Sequence, residues 1–154
     1  MWKRFLLATC LAGFGGATFL TSPDAWSAHA GGHSGHGWPN SSLGCFQGGF
    51  SDMRNLCSTN QLLVIPVELP SFKTFATSVR VRGNGTTNAT SCKAIRVDDN
   101  NGGFFSSTQS TISATFVTLT TGNISVPSGA LSFECQVAPV SGANQGSVLW
   151  VNWN

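Results

Sequence analysis

The chain beyond residue 60 alternates between short apolar stretches and clusters of Gly, Asn, Ser and Pro. Residues 131–137 show the clearest pattern, because Leu, Phe, Cys and Val take the odd positions while Ser, Glu and Gln take the even ones. A two-residue period predicts a half-buried strand with one face toward a core and one toward water. Residues 75–82 follow the same rule, with two valines on one side and two arginines on the other.

The other apolar stretches are rich in β-branched residues and end at turn-forming dipeptides, so they also predict strands. The predicted strands are 62–69, 75–82, 90–97, 104–107, 111–120, 131–137 and 146–153. Pro66 lacks a backbone donor, which favours an edge strand or a bulge at 62–69. About seven short strands joined by tight turns predict an all-β fold, an antiparallel β-sandwich of immunoglobulin-like or jelly-roll type.

The N-terminal residues follow a different pattern. Two basic residues precede an uncharged run, residues 5–20, which is rich in Leu, Ala, Gly and Phe. This order is typical of a secretory signal peptide, and the glycines within the run disfavour a permanent transmembrane helix. Small residues allow cleavage after Ser27 or after Ala30, and the second site fits the A-x-A pattern better. We predict a cleaved signal peptide at 1–30, an extracytoplasmic protein, and no membrane insertion after cleavage.

Residues 31–44 contain mainly Gly, Ser, His and Asn, with Trp38 and Leu43 as the large apolar side chains. Such a polar segment buries too little apolar surface to offset the entropy lost on ordering. We therefore predict a flexible His/Gly-rich arm at 31–44, followed by a single β-sandwich domain at 45–154.

The chain after the signal peptide contains four cysteines: Cys45, Cys57, Cys92 and Cys135. An even number in an exported protein favours two disulfides over free thiols. Of the three possible connectivities we favour Cys45 with Cys57, which closes a local loop, and Cys92 with Cys135, which joins two strands. An inward-facing Cys92–Cys135 bridge is expected to link the two sheets. Zinc is the rival interpretation, and the absence of a C-x-x-C spacing disfavours it.

Charge excludes some classes of partner. From Gly31 onward six basic residues stand against five acidic ones. This weak and mixed field lacks the electrostatic footprint of a protein that binds nucleic acid or an anionic membrane. Ser, Thr and Asn supply the polarity instead, as is typical of exported β proteins.

The histidines offer one conditional metal site. Cleavage after Ala30 would leave Gly31-Gly32-His33 at the N-terminus, where an amine, two amides and an imidazole match the square-planar geometry of Cu(II). His36 lies close enough in sequence to add a second imidazole. The alternative interpretation is a polar leader whose histidines are incidental.

The tryptophans are the candidate ligand contacts, since exposed aromatic rings stack on sugars. Trp150 and Trp153 should point to opposite faces of one strand, and we place Trp150 with Val148 in the core. Trp153 is then either buried under the N-terminal arm or exposed beside Asn152 as a binding platform. Trp38 on the arm is a further candidate.

No catalytic constellation emerges. Every histidine lies outside the predicted domain, so a Ser-His-acid triad has no base, and no spacing brings two carboxylates together. We predict a non-catalytic secreted module that binds a glycan or another cell-surface component. Two alternatives stay open: a structural or envelope component that self-associates through an edge strand such as 62–69, and a protein whose N-terminal arm binds copper.

Overall fold

The computed structural model of this protein describes residues 28–38, 44–49, 52–69, 71–97 and 103–154. These residues form two antiparallel β-sheets that enclose one hydrophobic core, which confirms the predicted β-sandwich. Most of the predicted signal peptide lies outside the described residues, so its cleavage stays a prediction. Within the described ranges, no helix is long and apolar enough to cross a membrane.

The first sheet is called sheet A. Its strands are β1 (Ala28–Gly31), β3 (Phe46–Gly48), β4 (Met53–Asn55), β6 (Thr74–Arg82), β10 (Val117–Ser125) and β12 (Ser147–Trp153). They lie in the order β10-β6-β12-β4-β3, and β1 also pairs with β12. Thus β12, the last strand of the chain, lies in the middle of this sheet.

The second sheet is called sheet B. Its strands are β2 (His36–Trp38), β5 (Gln61–Val67), β7 (Thr90–Val97), β8 (Gly103–Phe105), β9 (Gln109–Thr111) and β11 (Ala130–Val137). The order is β2-β5-β11-β7, and both β8 and β9 pair with the far side of β7. The two-residue period of β11 is observed as predicted, because its Leu, Phe, Cys and Val side chains are all buried.

Both predicted disulfides are present, Cys45–Cys57 and Cys92–Cys135. The second bridge differs from the expected link between sheets, because Cys92 lies directly opposite Cys135 on the neighbouring strands β7 and β11. Their Cα atoms are 4.1 Å apart, and both side chains face the core. An inward-facing cysteine can reach either an adjacent strand or the opposite sheet, and strand order decides between the two.

The segment predicted as a flexible arm is instead built partly into both sheets. Strand β1 pairs with β12, and β2 pairs with β5. A 3₁₀ turn, Gly32–Ser34, joins these two strands. Gly32 permits the crossing, because a Cβ there would meet the backbone carbonyl of Val148. The prediction of flexibility was wrong here because it considered only how much side-chain surface the segment can bury. Strand pairing and close backbone approach do not require buried side chains. Residues 39–43 lie outside the described part of the arm.

The predicted edge strand is covered along part of its length. Strand β5 pairs with β11 throughout, and with β2 only at residues 62–64. From Ile65 to Val67 its other side has no strand partner within the described chain. Pro66 lies in this uncovered part, where sheets tolerate proline. Self-association through this edge stays a prediction, with a shorter edge available than the sequence indicated.

A chain that begins at Gly31 should be less stable than a chain that begins at Ala28. Cleavage after Ser27 would retain all of β1, whereas cleavage after Ala30 would remove all but Gly31 and uncover β12 beside Trp153. At about 1 kcal/mol for each lost hydrogen bond, we expect a difference in unfolding free energy of roughly 2 kcal/mol. Urea unfolding of both purified chains measures it, and equal midpoints would show that β1 does not stabilise the domain.

Candidate functional site

Strand β12 carries two tryptophans, and a β-bulge decides which of them is exposed. The register between β12 and β6 shifts between Val148 and Trp150. The additional residue changes the alternation of the strand, so that Val148, Val151 and Trp153 all belong to the core. Trp150 is half-buried on the outer face. The predicted place of Trp150 in the core is therefore wrong.

Trp153 takes the buried one of its two predicted positions. It is 5% exposed, and its ring packs against Phe133 with 6.5 Å between the ring centroids. Strand β1 pairs along β12 beside it, with Ala28 opposite Trp153. Trp153 therefore presents no ring face to a ligand, and its interpretation as a binding platform is corrected.

The outer face of sheet A, called face A, carries Trp150 among polar and basic side chains. Arg80 on β6 lies opposite Trp150 on one side and opposite Thr118 on the other. Its guanidinium donates a long hydrogen bond of 3.4 Å to the Thr118 hydroxyl. Asn152, one of the predicted ligand contacts, lies two residues beyond Trp150 and opposite Ser78. Asn152 thus shares this face with Trp150, whereas the prediction paired it with Trp153 or Trp38, and its role as a ligand contact stays a prediction.

Two further arginines on this face share one carboxylate. The Nε of Arg54 donates to both carboxylate oxygens of Asp52, at 3.1 and 3.0 Å, and Nη2 of Arg82 lies 4.0 Å from the same group. Arg82 also donates to the Ser147 hydroxyl at 2.9 Å and lies over the ring of Phe116. The side chain of Asp52 is 6% exposed. This buried carboxylate therefore holds two guanidinium groups whose side chains stay partly exposed, at 40% for Arg54 and 25% for Arg82.

The outer face of sheet B, called face B, contains a shallow pocket of about 240 Å³. The lining residues are Leu62, Ser91, Cys92, Lys93, Thr108, Glu134 and Gln136. Strand register produces this arrangement, because Gln136 on β11 lies between Leu62 on β5 and Ser91 on β7. The next outward pair is Glu134 and Lys93, whose Nζ lies 3.1 Å from Oε2 of Glu134.

An exposed phenyl ring lies close to this pocket. Phe105 on β8 is 59% exposed, and the Nζ of Lys93 lies 4.3 Å from its ring centroid. Phe104 is also exposed, with the guanidinium of Arg96 at 3.7 Å from its ring. These cation–π contacts orient both rings at the edge of the sheet. The pocket therefore combines a carboxylate, an ammonium, an amide and hydroxyl groups with an aromatic surface.

Two candidates from the predicted arm belong to the same sheet. Strand β2 places His36 opposite Val64 and Trp38 opposite Leu62, beside the strand that contributes to the pocket. His36 is exposed. The side chains of Trp38 and His33 lie outside the described part of the structure, so their roles stay predictions. Among the described residues no group of three or more His, Cys, Asp or Glu is placed to hold a metal, and copper binding by the arm stays a prediction.

Sequence reasoning missed Lys93, Glu134, Gln136 and Phe105. The first three occupy outward positions of predicted amphipathic strands, where the pattern indicates only contact with water. Their meeting depends on which strands are neighbours, and Lys93 is 41 positions from Glu134 along the sequence. The alternation of polar residues in 131–137 predicted which side of the strand faces water. It did not predict where on that side a site lies.

The sequence matches no family model and no curated protein. Solved structures do resemble the fold. A GH26-CBM35 β-(1,4)-mannanase from Podospora anserina matches with a TM-score of 0.53 and 9% identity, over 83% of this chain and 27% of that chain. The CBM36-1 domain of a multidomain xylanase from the hindgut metagenome of Trinervitermes trinervoides matches with a TM-score of 0.50 and 11% identity, over 83% and 96%. The chain thus spans about a quarter of the mannanase and nearly all of the CBM36-1 domain, and it has the β-sandwich architecture of these proteins.

Proposed function

We propose that this protein is a non-catalytic glycan-binding module and that the pocket on face B is its binding site. The observation that carries the proposal is the convergence of Lys93, Glu134 and Gln136 in one pocket beside the exposed ring of Phe105. Sugars present hydroxyl groups at their edges and C–H groups on their faces. Amide and charged side chains bind the former by hydrogen bonds, and aromatic rings pack against the latter.

The charge of the pocket favours a neutral sugar. Lys93 and Glu134 form an ion pair at 3.1 Å, and each side chain keeps about 30% exposure (31% and 29%). The pair leaves no net charge but retains unused donors on the ammonium and an unused oxygen on the carboxylate. Gln136 adds an amide that both donates and accepts. The pocket thus matches vicinal hydroxyl groups, which need donors and acceptors close together.

The size and shape of the pocket favour part of a polymer. Its volume of about 240 Å³ lies below the range of about 300–1,000 Å³ that encloses most small ligands. A shallow pocket in a sheet face can hold one unit of a glycan whose neighbouring units continue along the face. The two structural neighbours carry carbohydrate-binding modules in a β-(1,4)-mannanase and a xylanase, which supports a polysaccharide as the ligand class.

A binding role fits Glu134 better than a hydrolytic one. Hydrolysis of a glycosidic bond uses two carboxyl groups on opposite sides of the bond. The charged partner of Glu134 is an ammonium, and Asp52 precedes β4 of the other sheet, where two arginines pair with it. The pocket therefore offers recognition without an acid and base pair among the described residues.

Calorimetric titration with mannan and xylan oligosaccharides tests the proposal. We expect Gln136→Ala and Phe105→Ala each to weaken binding about tenfold, because Gln136 lines the pocket and the ring of Phe105 flanks it. Gln47→Ala is the matched amide control, since Gln47 is an exposed glutamine on sheet A. Phe72→Ala is the matched aromatic control, since Phe72 is 62% exposed and outside the pocket lining. Binding that is absent, or lost equally in the controls, would overturn the proposal.

A further inference from the structure

We infer that face A is a second and separate binding surface, which takes polysaccharides that carry carboxylate or sulfate groups. Its core is formed by Arg54, Arg80, Arg82 and Trp150. This inference uses observations on sheet A alone, so it stands independently of the pocket on face B. It goes beyond the proposed neutral-glycan site because it adds negatively charged polysaccharides as a second class of ligand.

The positive charge on face A is only partly compensated. Arg54 and Arg82 share the carboxylate of Asp52, and among the described residues Arg80 forms no ion pair. Three guanidinium groups against one carboxylate leave an excess of two positive charges on this face. From Gly31 onward six basic residues stand against five acidic ones, a net charge of +1, so the positive excess on face A is larger than that of this whole segment.

The guanidinium groups are also positioned in advance. Arg82 is fixed by Asp52, by the Ser147 hydroxyl and by the ring of Phe116, and Arg54 is fixed by two hydrogen bonds to Asp52. Both keep other N–H donors that these contacts do not use. A guanidinium fork matches carboxylate and sulfate oxygens in pairs, and holding it in place reduces the entropy lost on binding.

The spacing suits an extended ligand. Arg80 and Arg82 are two positions apart on the same face of β6, so their Cα atoms are about 7 Å apart. Arg54 lies two strands from Arg82, across Ser147 on β12, which corresponds to about 10 Å between strands. A small anion could engage one of these groups at a time, whereas a polymer with repeated acidic units can engage all three.

Trp150 indicates the chemistry of the polymer. Its half-buried indole lies opposite Arg80, and the hydroxyl and amide side chains of Thr118, Thr120 and Asn152 occupy the same face. The indole can stack on a sugar ring, the hydroxyl and amide side chains can bind sugar hydroxyl groups, and the arginines can bind an acidic substituent. Together these groups match a sugar that carries a negative charge. Nucleic acid presents a much denser row of phosphates, and its binding relies on many more cations than this face offers.

Binding of polygalacturonate and of heparin to the folded chain tests the inference, with one probe carrying carboxylates and the other also carrying sulfates. We expect Arg80→Gln and Trp150→Ala each to weaken binding about tenfold, with Arg80→Lys between Arg80→Gln and the unaltered protein. Arg80 is the chosen arginine because it has the fewest structural contacts, so its replacement leaves the fold intact. A thermal melt of each variant verifies this.

Lys73→Gln is the charge-matched control, because it removes one exposed positive charge outside the core of face A. Gln136→Ala is the site control, because it alters face B alone, and it should leave acidic polysaccharide binding unchanged. Equal losses from Lys73→Gln and Arg80→Gln would overturn the inference, as would a DNA duplex that binds as tightly as both polysaccharides. If the unaltered protein binds the acidic polysaccharides but neither mannan nor xylan oligosaccharides, the proposal for face B is removed and the one for face A is kept.

Discussion

Replacing Cys92 and Cys135 together by alanine should lower the free energy of unfolding by about 4 kcal/mol. The bridge closes a loop with a sequence separation of 43 residues, and the chain-entropy model assigns about 4 kcal/mol to a loop of that length. Domains of this size are stabilised by about 5–15 kcal/mol in total, so the loss is a large fraction. We expect the melting temperature to fall by roughly 10–20 °C in a calorimetric scan.

The Cys45–Cys57 pair provides the internal comparison for this prediction. Its sequence separation is 12, for which the same model gives about 3 kcal/mol. The ordering of the two double variants therefore follows from loop length. The Cys92–Cys135 pair has a further contribution, because both of its sulfur atoms lie in the core, while Cys45 and Cys57 are half-buried. A reduced protein that melts at the temperature of the oxidised one would contradict the structural role of both bridges.

Trp153→Ala should destabilise the domain by about 3–5 kcal/mol, whereas Trp150→Ala should lower its stability by about 1 kcal/mol or less. The first substitution leaves a cavity beside Phe133 in the core, and the second removes a half-buried ring from an outer face. Urea unfolding monitored by circular dichroism measures both. The two residues are three positions apart on one strand, so the pair forms its own matched control.

This comparison tests the β-bulge directly. A regular strand would keep Val148 and Trp150 on one face and turn Trp153 to the other. If Trp150→Ala were the more damaging substitution, the register shift between Val148 and Trp150 would be absent in solution. Face A would then lose its aromatic residue, and the proposal of an acidic-polysaccharide surface would lose its support.

The sequence predicted most of the strands because their signals are local, although the predicted strand 111–120 is divided between the end of β9 and the start of β10. The alternation of β11, the turns and the even number of cysteines each depend on residues that are near one another in the chain. Pairing of Cys92 with Cys135 followed from two inward-facing strand positions. Their place within one sheet required the strand order, which no local pattern contains.

The candidate sites illustrate the same division. Residue types alone identified the tryptophans of the C-terminal strand and Asn152 as candidate ligand contacts. The choice between Trp150 and Trp153 was not, because one additional residue in β12 changes the alternation at the bulge. The N-terminal segment was predicted to be flexible from its lack of apolar side chains, yet its backbone pairs with β12 and β5.

By itself the sequence determined the β-sandwich, its two disulfides and the small number of charges, because hydrophobic period, cysteine count and composition are properties of the chain. Only the tertiary structure decided how those charges are distributed. The register of β5, β11 and β7 brings Lys93 and Glu134 together in a neutral pocket, and the register of β6, β12 and β4 places three arginines on the opposite sheet. Strand neighbours are chosen by the packing of the whole core, so residues far apart in sequence become one surface only when the fold is complete.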